Sequence, residues 1–389
     1  MNPFEFSLPT QLVFGPGELK RIGELAAKIG SHAFLVTGRR AMKELGILER
    51  AVDLLQRAGL KVTVFDRIEP NPLVSTVNEG GVQAQKVGAN LVIGIGGGSV
   101  MDAAKGIALI AKNPGSIWDY IRKVNLVDTL PVITIPTLAA TGSEANRGGV
   151  VTHDASRQKA PFFAPNAQPR ISIIDPTLTL TVPLELTMDG VMDIMSHVLE
   201  TYFTGVEDTP LQDRLTEAVV LTTMEAGEAL HRNPRDLSAR THLCWCSSVA
   251  LCGLVQSGRG GSWALHGMEH ALSGHYNISH GRGLAILLPR LIAYCYPKNP
   301  AKYAQFARRI FQVKFTDDMK AAKQGLSLLI TWLRGVGLYQ MLSDLGIDDS
   351  KSEDMTNDTL ALYGDSGGFI DSQRLIDRQG ILEIYRSSL

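Results

Sequence analysis

The apolar residues of this chain follow two patterns, and one gives way to the other near residue 180. Before that point, short strand-like runs alternate with helical stretches. The runs cover residues 33–37, 61–65, 90–95, 132–135 and Ile171–Ile174, and the helical stretches cover 41–58, 74–87 and 99–111. Strands that alternate with helices of this length are typical of βαβ units in a parallel, doubly wound sheet.

The second half is predicted to be helical throughout. Its helical segments cover residues 184–204, 208–231, 236–256, 282–296, 300–312, 319–337 and 374–386. Between the last two, the polar stretch 347–358 is predicted to be an exposed loop. The chain is therefore predicted to consist of an α/β domain over residues 1–180 and an all-helical domain over residues 181–389.

Composition excludes several classes of function. The 389 residues include 38 Lys and Arg and 39 Asp and Glu, a formal charge of −1, which provides no basic surface for nucleic acid or an anionic membrane. The sequence contains no run of about 18 apolar residues, the length that would predict a membrane span. The first residues lack the features of a signal peptide, and the four cysteines lack metal-binding spacing. We therefore expect a cytoplasmic protein that binds neither nucleic acid nor membrane.

A glycine-rich loop follows the third predicted strand. Gly96, Gly97 and Gly98 lead into a helix that is predicted to open at Ser99 as N-cap, with Asp102 completing a capping box. Glycines let the backbone approach a pyrophosphate, whose charge the helix N-terminus stabilises. The alternative is a tight turn that binds nothing. The loop is neither GxGxxG nor GxxxxGK[ST], so ATP chemistry is disfavoured.

The end of the first predicted strand bears on the choice of nucleotide. In dinucleotide folds a carboxylate at such a position binds the adenosine ribose. Here Thr37 is followed by Gly38, Arg39 and Arg40, with no acid and two guanidinium groups. If this strand flanks the adenosine, the pattern favours NADP(H) over NAD(H). The alternative is two solvated arginines at the start of a helix.

The helical half contains a cluster of metal-ligand residue types. Asp193 and His197 are four residues apart, and so are His266 and His270; His280 follows in a His-Gly turn. Residues at this spacing share one face of a helix. One carboxylate and several imidazoles suit a divalent transition metal such as Fe(II) or Zn(II). The alternative for each histidine is a satisfied core residue.

Taken together, these motifs resemble the iron-containing (group III) alcohol dehydrogenase family, and within it the butanol dehydrogenase-like branch. The matching segments are GGGSVMDAAK (96–105), ATGSEAN (140–146), DP (175–176), GVMDIMSHVLE (190–200), HGMEHALS (266–273) and SHGRGLAILLP (279–289). The resemblance implies a dehydroquinate synthase-like fold, in which the α/β domain binds the dinucleotide and the helical domain binds metal and substrate. It also implies a homodimer.

The resemblance further implies roles for individual residues. It assigns four metal ligands, namely Asp193, His197, His266 and His280. His270 matches a histidine that lies beside the nicotinamide without ligating the metal. The nucleotide positions are Gly97, Gly98 and Ser99 around the pyrophosphate, Asp102 supporting them, and Asn71, Thr137 and Leu138 along the nucleotide. Lys159 resembles a lysine near the nicotinamide ribose, and family members that use NAD tend to carry aspartate where this chain has Gly38.

The expected reaction is reversible hydride transfer between NADP(H) and a primary alcohol/aldehyde pair, with the metal acting as a Lewis acid and His270 relaying a proton. The alternative is a metal-dependent polyol (glycerol-type) dehydrogenase or a dehydroquinate synthase-like lyase, although these typically use three protein ligands. A third alternative is a nucleotide-binding protein without catalysis. Trp263 is expected to approach the pocket, and Arg259 either lies at its mouth or is structural.

Overall fold

The computed structural model describes all residues, 1–389, and they form two compact units. One consists of Ser7–Val182; the other consists of Pro183–Leu389 together with Met1–Phe6. The sequence interpretation placed the first six residues in the α/β domain. They lie instead in the helical unit, where the backbone N–H of Asn2 donates to the carbonyl of Gly258 at 2.8 Å.

The Ser7–Val182 unit is built on a six-stranded parallel sheet in the order β1-β8-β5-β4-β2-β3. A separate antiparallel hairpin pairs β6 with β7. The strands are β1 (Gln11–Phe14), β2 (His32–Gly38), β3 (Lys61–Ile68), β4 (Leu91–Gly96), β5 (Val132–Pro136), β6 (Gly148–Thr152), β7 (Lys159–Phe163) and β8 (Ile171–Ile174). The sequence interpretation missed β1, β6 and β7.

Helices cover both faces of this sheet, as the doubly wound prediction requires. They are α1 (Ile22–Ala27), α2 (Ala41–Glu44), α3 (Ile47–Arg57), α4 (Val74–Lys86) and α5 (Gly98–Ile110). Alternate residues of one strand point to opposite faces, so Phe34 packs in a core with α4 and α5 while Leu35 packs with α1 and α3. The single helix predicted over 41–58 is two helices, because Gly46 adopts a left-handed φ of 68° between them.

The second unit contains nine α-helices. They are α6 (Leu184–Thr204), α7 (Pro210–Arg232), α8 (Leu237–Leu251), α9 (Ala264–Tyr276), α10 (His280–Cys295), α11 (Pro300–Ile310), α12 (Asp318–Gly335), α13 (Ser352–Tyr363) and α14 (Arg378–Arg386). No helix in the chain combines the length and the apolar character needed to cross a bilayer. Because this unit contains α-helices and no β-strand, the all-helical prediction for this half is confirmed.

The exposed loop predicted over 347–358 is wrong. Most of that stretch belongs to α13, which buries Met355, Thr356 and Thr359. The threonine hydroxyls satisfy their hydrogen bonds inside the helix, since Thr356 donates to the Ser352 carbonyl and Thr359 to that of Met355, both at 2.7 Å. A threonine hydroxyl that donates to the carbonyl four residues earlier needs no water. The polar composition of the stretch therefore wrongly indicated an exposed loop.

Candidate functional site

Three helices of the second unit bring the predicted metal ligands together. Asp193 and His197 lie on α6, His266 on α9, and His280 is the first residue of α10. The Nε2 atoms of His197, His266 and His280 lie 3.6, 3.9 and 3.8 Å from Oδ1 of Asp193. Three imidazole nitrogens therefore face one carboxylate oxygen, the common point of the site, and the ligand atoms of Asp193, His266 and His280 lie within 4.8 Å of one another.

This arrangement fits a divalent cation. The separations are too long for hydrogen bonds, and Nε2 of His266 is buried without a hydrogen-bond partner. Ligand atoms about 2.1 Å from a tetrahedral ion lie about 3.4 Å from one another, close to the 3.6–3.9 Å that separate Oδ1 of Asp193 from the three nitrogens. A set of one oxygen and three imidazole nitrogens suits Fe(II) or Zn(II). The residues present are thus compatible with the metal that the sequence motifs imply.

A close approach of two helices positions His280. A Cβ atom on Gly281 would lie 2.0 Å from the carbonyl oxygen of Asp189, so only glycine permits this contact. The guanidinium of Arg282 then forms an ion pair with Asp189 at 2.9 Å. Since Asp189 lies one turn before Asp193 on α6, both contacts hold the first turn of α10 beside the metal-facing surface of α6.

Two carboxylates behind the imidazoles were not identified from the sequence. Nδ1 of His266 hydrogen-bonds the carboxylate of Glu200, which also accepts from the backbone N–H of Leu265. Nδ1 of His280 hydrogen-bonds the carboxylate of Glu269, whose side chain is fully buried. The sequence nevertheless contained a signal for both glutamates. Glu200 lies three residues after His197 and Glu269 lies three residues after His266, so each shares a helix face with a ligand histidine.

The third imidazole has a different environment. Nδ1 of His197 is buried without a hydrogen-bond partner. Burial, reinforced by His266 and His280, holds the pKa of His197 well below its usual value. Burial also acts to lower the pKa of His266, but the charge and hydrogen bond of Glu200 outweigh it and raise that pKa. His197 is therefore neutral at physiological pH, the state in which imidazole binds a metal.

His270 lies beside this cluster, outside the set of atoms around Asp193. Its ring centroid is 5.3 Å from that of His280 and 6.1 Å from that of His266. Its Nδ1 is hydrogen-bonded to the hydroxyl of Tyr363 at the end of α13. Tyr363, which the sequence analysis did not single out, packs over Gly267, where a Cβ atom would lie 2.8 Å from its ring.

In the other unit the glycine loop takes a conformation different from the one predicted. Helix α5 begins at Gly98, and Gly97 is its N-cap, with no side-chain capping hydrogen bond. The N-cap assignment of Ser99 and the capping box with Asp102 are therefore wrong. Gly98 allows a close approach instead, because its Cβ atom would lie 2.3 Å from Thr141.

Asp102 and Lys105 connect the start of α5 to two other segments. The Asp102 carboxylate accepts from the Ser143 hydroxyl at 2.5 Å and from the Val150 N–H at 2.9 Å. Lys105 is fully buried and donates to Ser143, to Asn146 and to the Gly148 carbonyl at 2.8, 2.9 and 2.6 Å. Burial, opposed by nearby carboxylates, lowers the pKa of Lys105 to about 8. The sequence analysis assigned no role to Lys105.

Three of the other predicted nucleotide residues follow the carboxyl ends of two strands of the parallel sheet, the edge where ligands of such sheets bind. Thr137 and Leu138 follow β5, and the Thr137 N–H donates to the Gly96 carbonyl at 2.9 Å. Asn71 lies beyond β3 with a left-handed φ of 53°. Lys159 is the buried first residue of β7.

The arginines after β2 are exposed. Gly38 is the last residue of β2, and Arg39 and Arg40 follow it at the surface. Arg39 donates to the Arg67 carbonyl at 3.3 Å and forms an ion pair with Glu69 at 3.4 Å. A carboxylate therefore lies close to this strand end, although the sequence places none directly after β2.

The structure also locates Arg259 and Trp263, which were expected near the substrate pocket. Arg259 is 1% exposed and forms an ion pair with Asp213 at 2.7 Å, so its role is structural. The Trp263 ring lies edge-on to His266 and His197, at centroid distances of 5.3 and 6.3 Å.

Comparison with known proteins establishes the family. The profile described as iron-containing alcohol dehydrogenase matches residues 9–176, and the C-terminal profile of the Fe-containing alcohol dehydrogenase family matches residues 187–389. The chain therefore belongs to the iron-containing alcohol dehydrogenase family, as its motifs predicted. It is an oxidoreductase of the alcohol dehydrogenase/aldehyde reductase type.

Individual relatives cover nearly the whole chain. It is 34% identical to NADH-dependent butanol dehydrogenase A of Clostridium acetobutylicum over 100% of both chains. It is 30% identical to the NADPH-dependent aldehyde reductase YqhD of Escherichia coli over 90% of this chain and 91% of that one. The crystal structure of NADH-dependent butanol dehydrogenase A from Thermotoga maritima superposes with a TM-score of 0.94 at 34% identity, covering 100% and 99% of the chains. The predicted fold class is thereby confirmed.

Proposed function

We propose that this protein catalyses reversible hydride transfer between NADP(H) and a primary alcohol/aldehyde pair, and that Asp193, His197, His266 and His280 hold the required divalent metal. The observation that carries the proposal is the convergence of three Nε2 atoms on one oxygen of Asp193, at 3.6–3.9 Å. When bound, the metal supplies Lewis-acid stabilisation of negative charge on the substrate oxygen. We propose Fe(II), with Zn(II) as the alternative for the same ligands.

Other residues would assist proton transfer and nucleotide binding in the proposed reaction. His270 lies next to the ligand histidines and holds a proton for transfer to or from the substrate oxygen. Its hydrogen bond to Tyr363 fixes the orientation of the ring. A bound nicotinamide would supply the hydride, and the nucleotide-binding residues would orient it. We assign that role to Gly97, Gly98, Ser99, Thr137 and Leu138, together with Asn71, Asp102 and Lys159.

The proposed preference for NADP(H) rests on the end of β2. Gly38 supplies no carboxylate to repel a 2′-phosphate, and the exposed Arg39 and Arg40 supply positive charge. Glu69 beside Arg39 opposes this preference. NADH-dependent enzymes among the relatives make NAD(H) the alternative.

A direct test measures initial rates with butanal on metal-stripped protein, with and without Fe(II) added anaerobically, using NADPH and NADH in parallel. Activity that depends on Fe(II) and is faster with NADPH is the expected result. Equal rates without metal would overturn the metal assignment. Faster turnover with NADH would overturn only the cofactor preference.

A further inference from the structure

Among the three imidazoles that face Asp193, two have a buried carboxylate behind them and one does not. Glu200 accepts the hydrogen bond from Nδ1 of His266, and Glu269 accepts that from Nδ1 of His280. Nδ1 of His197 has no such acceptor. The difference concerns the side of each ring that faces away from the common point, so it bears on orientation rather than on ligation.

We propose that Glu200 and Glu269 are positioning residues that determine how tightly the helical unit binds its divalent cation. This inference rests on the proposed function, because it concerns the same cation. An imidazole whose Nδ1–H is bound by a carboxylate has a fixed tautomer and a fixed ring plane, so Nε2 is available to the metal without reorientation. The negative charge of the acceptor also increases the basicity of the ligating nitrogen.

The surroundings of both glutamates show that their positions are closely constrained. Glu269 is 0% and Glu200 is 5% exposed. A Cβ atom on Gly283 would lie 2.8 Å from the side chain of Glu269, so α10 approaches α9 closely enough to hold that carboxylate in place. Glu200 accepts backbone N–H groups of Leu265 and His266 as well, which ties its carboxylate to the first turn of α9.

The helical unit also contains a matched control. Glu217 is buried to a similar degree, at 7% exposed, and accepts hydrogen bonds from Tyr202 and Arg309 at 3.0 and 2.8 Å. None of these partners is a proposed metal ligand. Glu217→Gln thus removes a buried carboxylate charge from the same unit without touching the imidazoles.

The experiment titrates Co(II) into metal-free full-length protein against a chromogenic chelator and records the visible spectrum of bound Co(II). We expect Glu200→Gln and Glu269→Gln each to weaken Co(II) binding about 10- to 100-fold and to change the spectrum. Glu217→Gln should stay within about twofold of wild type. Glu269→Ala should bind more weakly than Glu269→Gln, because glutamine keeps an acceptor for Nδ1–H.

Binding within about twofold of wild type for both glutamine variants would overturn the inference. If Glu200→Gln fails to fold, Glu269→Gln decides alone. A measurement on wild-type protein needs no variant: two histidine Nδ1–H resonances should appear far downfield in the Zn(II) complex, and their absence would also overturn the inference. Failure of wild-type protein to bind Co(II) would instead refute the proposed metal site, and metal binding without turnover would count against the proposed reaction.

Discussion

Each proposed metal ligand is constrained by its neighbours before any ion is bound. Asp193 and His197 are buried on α6, and His266 is held through Glu200. A side chain whose rotamer is fixed by packing loses little freedom when it binds. Metal binding should therefore require little additional ordering of the ligand side chains.

His266→Ala should abolish metal binding and lower the rate of aldehyde reduction by at least about 100-fold, since Lewis-acid stabilisation contributes several kcal/mol. Metal content by elemental analysis and initial rates with NADPH test this together. His242→Ala, at an exposed position on α8, is the control and should retain both. A His266→Ala protein with full metal content would refute the ligand assignment.

His270→Ala should retain the metal while lowering kcat by about 100-fold, the lower end of the range for a positioned proton-transfer group. The physical reason is that His270 lies beside the ligand set without belonging to it. Metal analysis separates this role from ligation. Loss of the metal in this variant would show that His270 is a ligand.

Gly38→Asp should reverse the proposed preference for NADP(H). A carboxylate at the end of β2 repels a 2′-phosphate and accepts from ribose hydroxyls, so kcat/KM with NADPH should fall about tenfold or more relative to NADH. Space is available, since the nearest atom to a Cβ at this position is the Ile68 carbonyl oxygen at 3.6 Å. An unchanged NADPH/NADH ratio would show that this strand end does not contact the adenosine ribose.

At the scale of helices and strands, the buried Lys105 connects several segments of the sheet unit. It joins α5 to the loop that contains Ser143 and Asn146 and to the start of β6. Through Asp102 the same network reaches the backbone of Val150. The network therefore holds the glycine loop, the loop after β5 and the hairpin of Lys159 in one arrangement.

Lys105→Met should destabilise the protein by about 3–5 kcal/mol, because it leaves three acceptors without their donor and removes a buried positive charge near the Asp102 carboxylate. Thermal unfolding monitored by circular dichroism measures the change. Lys112→Met is the matched control, since Lys112 lies just beyond α5 and is exposed, and it should shift the midpoint little. Equal midpoints for the two variants would contradict the connecting role of Lys105.

At the scale of the whole molecule, the two ligand sets belong to different units. The proposed metal ligands all lie within Pro183–Leu389, and the proposed nucleotide residues all lie within Ser7–Val182. A ligand stabilises the structure that binds it, by about 2.7 kcal/mol at a hundredfold excess over its dissociation constant. The metal should therefore slow hydrogen exchange mainly in Pro183–Leu389, and the nucleotide should slow it mainly in Ser7–Val182.

Hydrogen exchange with mass spectrometry tests this expectation on the full chain. Adding Zn(II) to metal-free protein should slow exchange in α6, α9 and the first turn of α10, where the ligands lie. Adding NADPH should slow exchange around Gly97 and in the loop after β5. Protection of the glycine loop by Zn(II) alone would contradict the assignment of all metal ligands to the Pro183–Leu389 unit.

The sequence alone determined the family, the fold class and the candidate ligands, because these depend on local patterns. Asp193 and His197 share a helical face by spacing, and alternating strands and helices predict a parallel sheet. The tertiary structure alone decided the features that depend on which helices and strands pack against one another. It placed the carboxylates of Glu200 and Glu269 behind two imidazoles, buried Arg259 in an ion pair, and made a helix of the polar stretch around Met355. The spacing places both glutamates on the faces of the ligand histidines, but only the packing of α6, α9 and α10 against one another decides which imidazole each carboxylate supports.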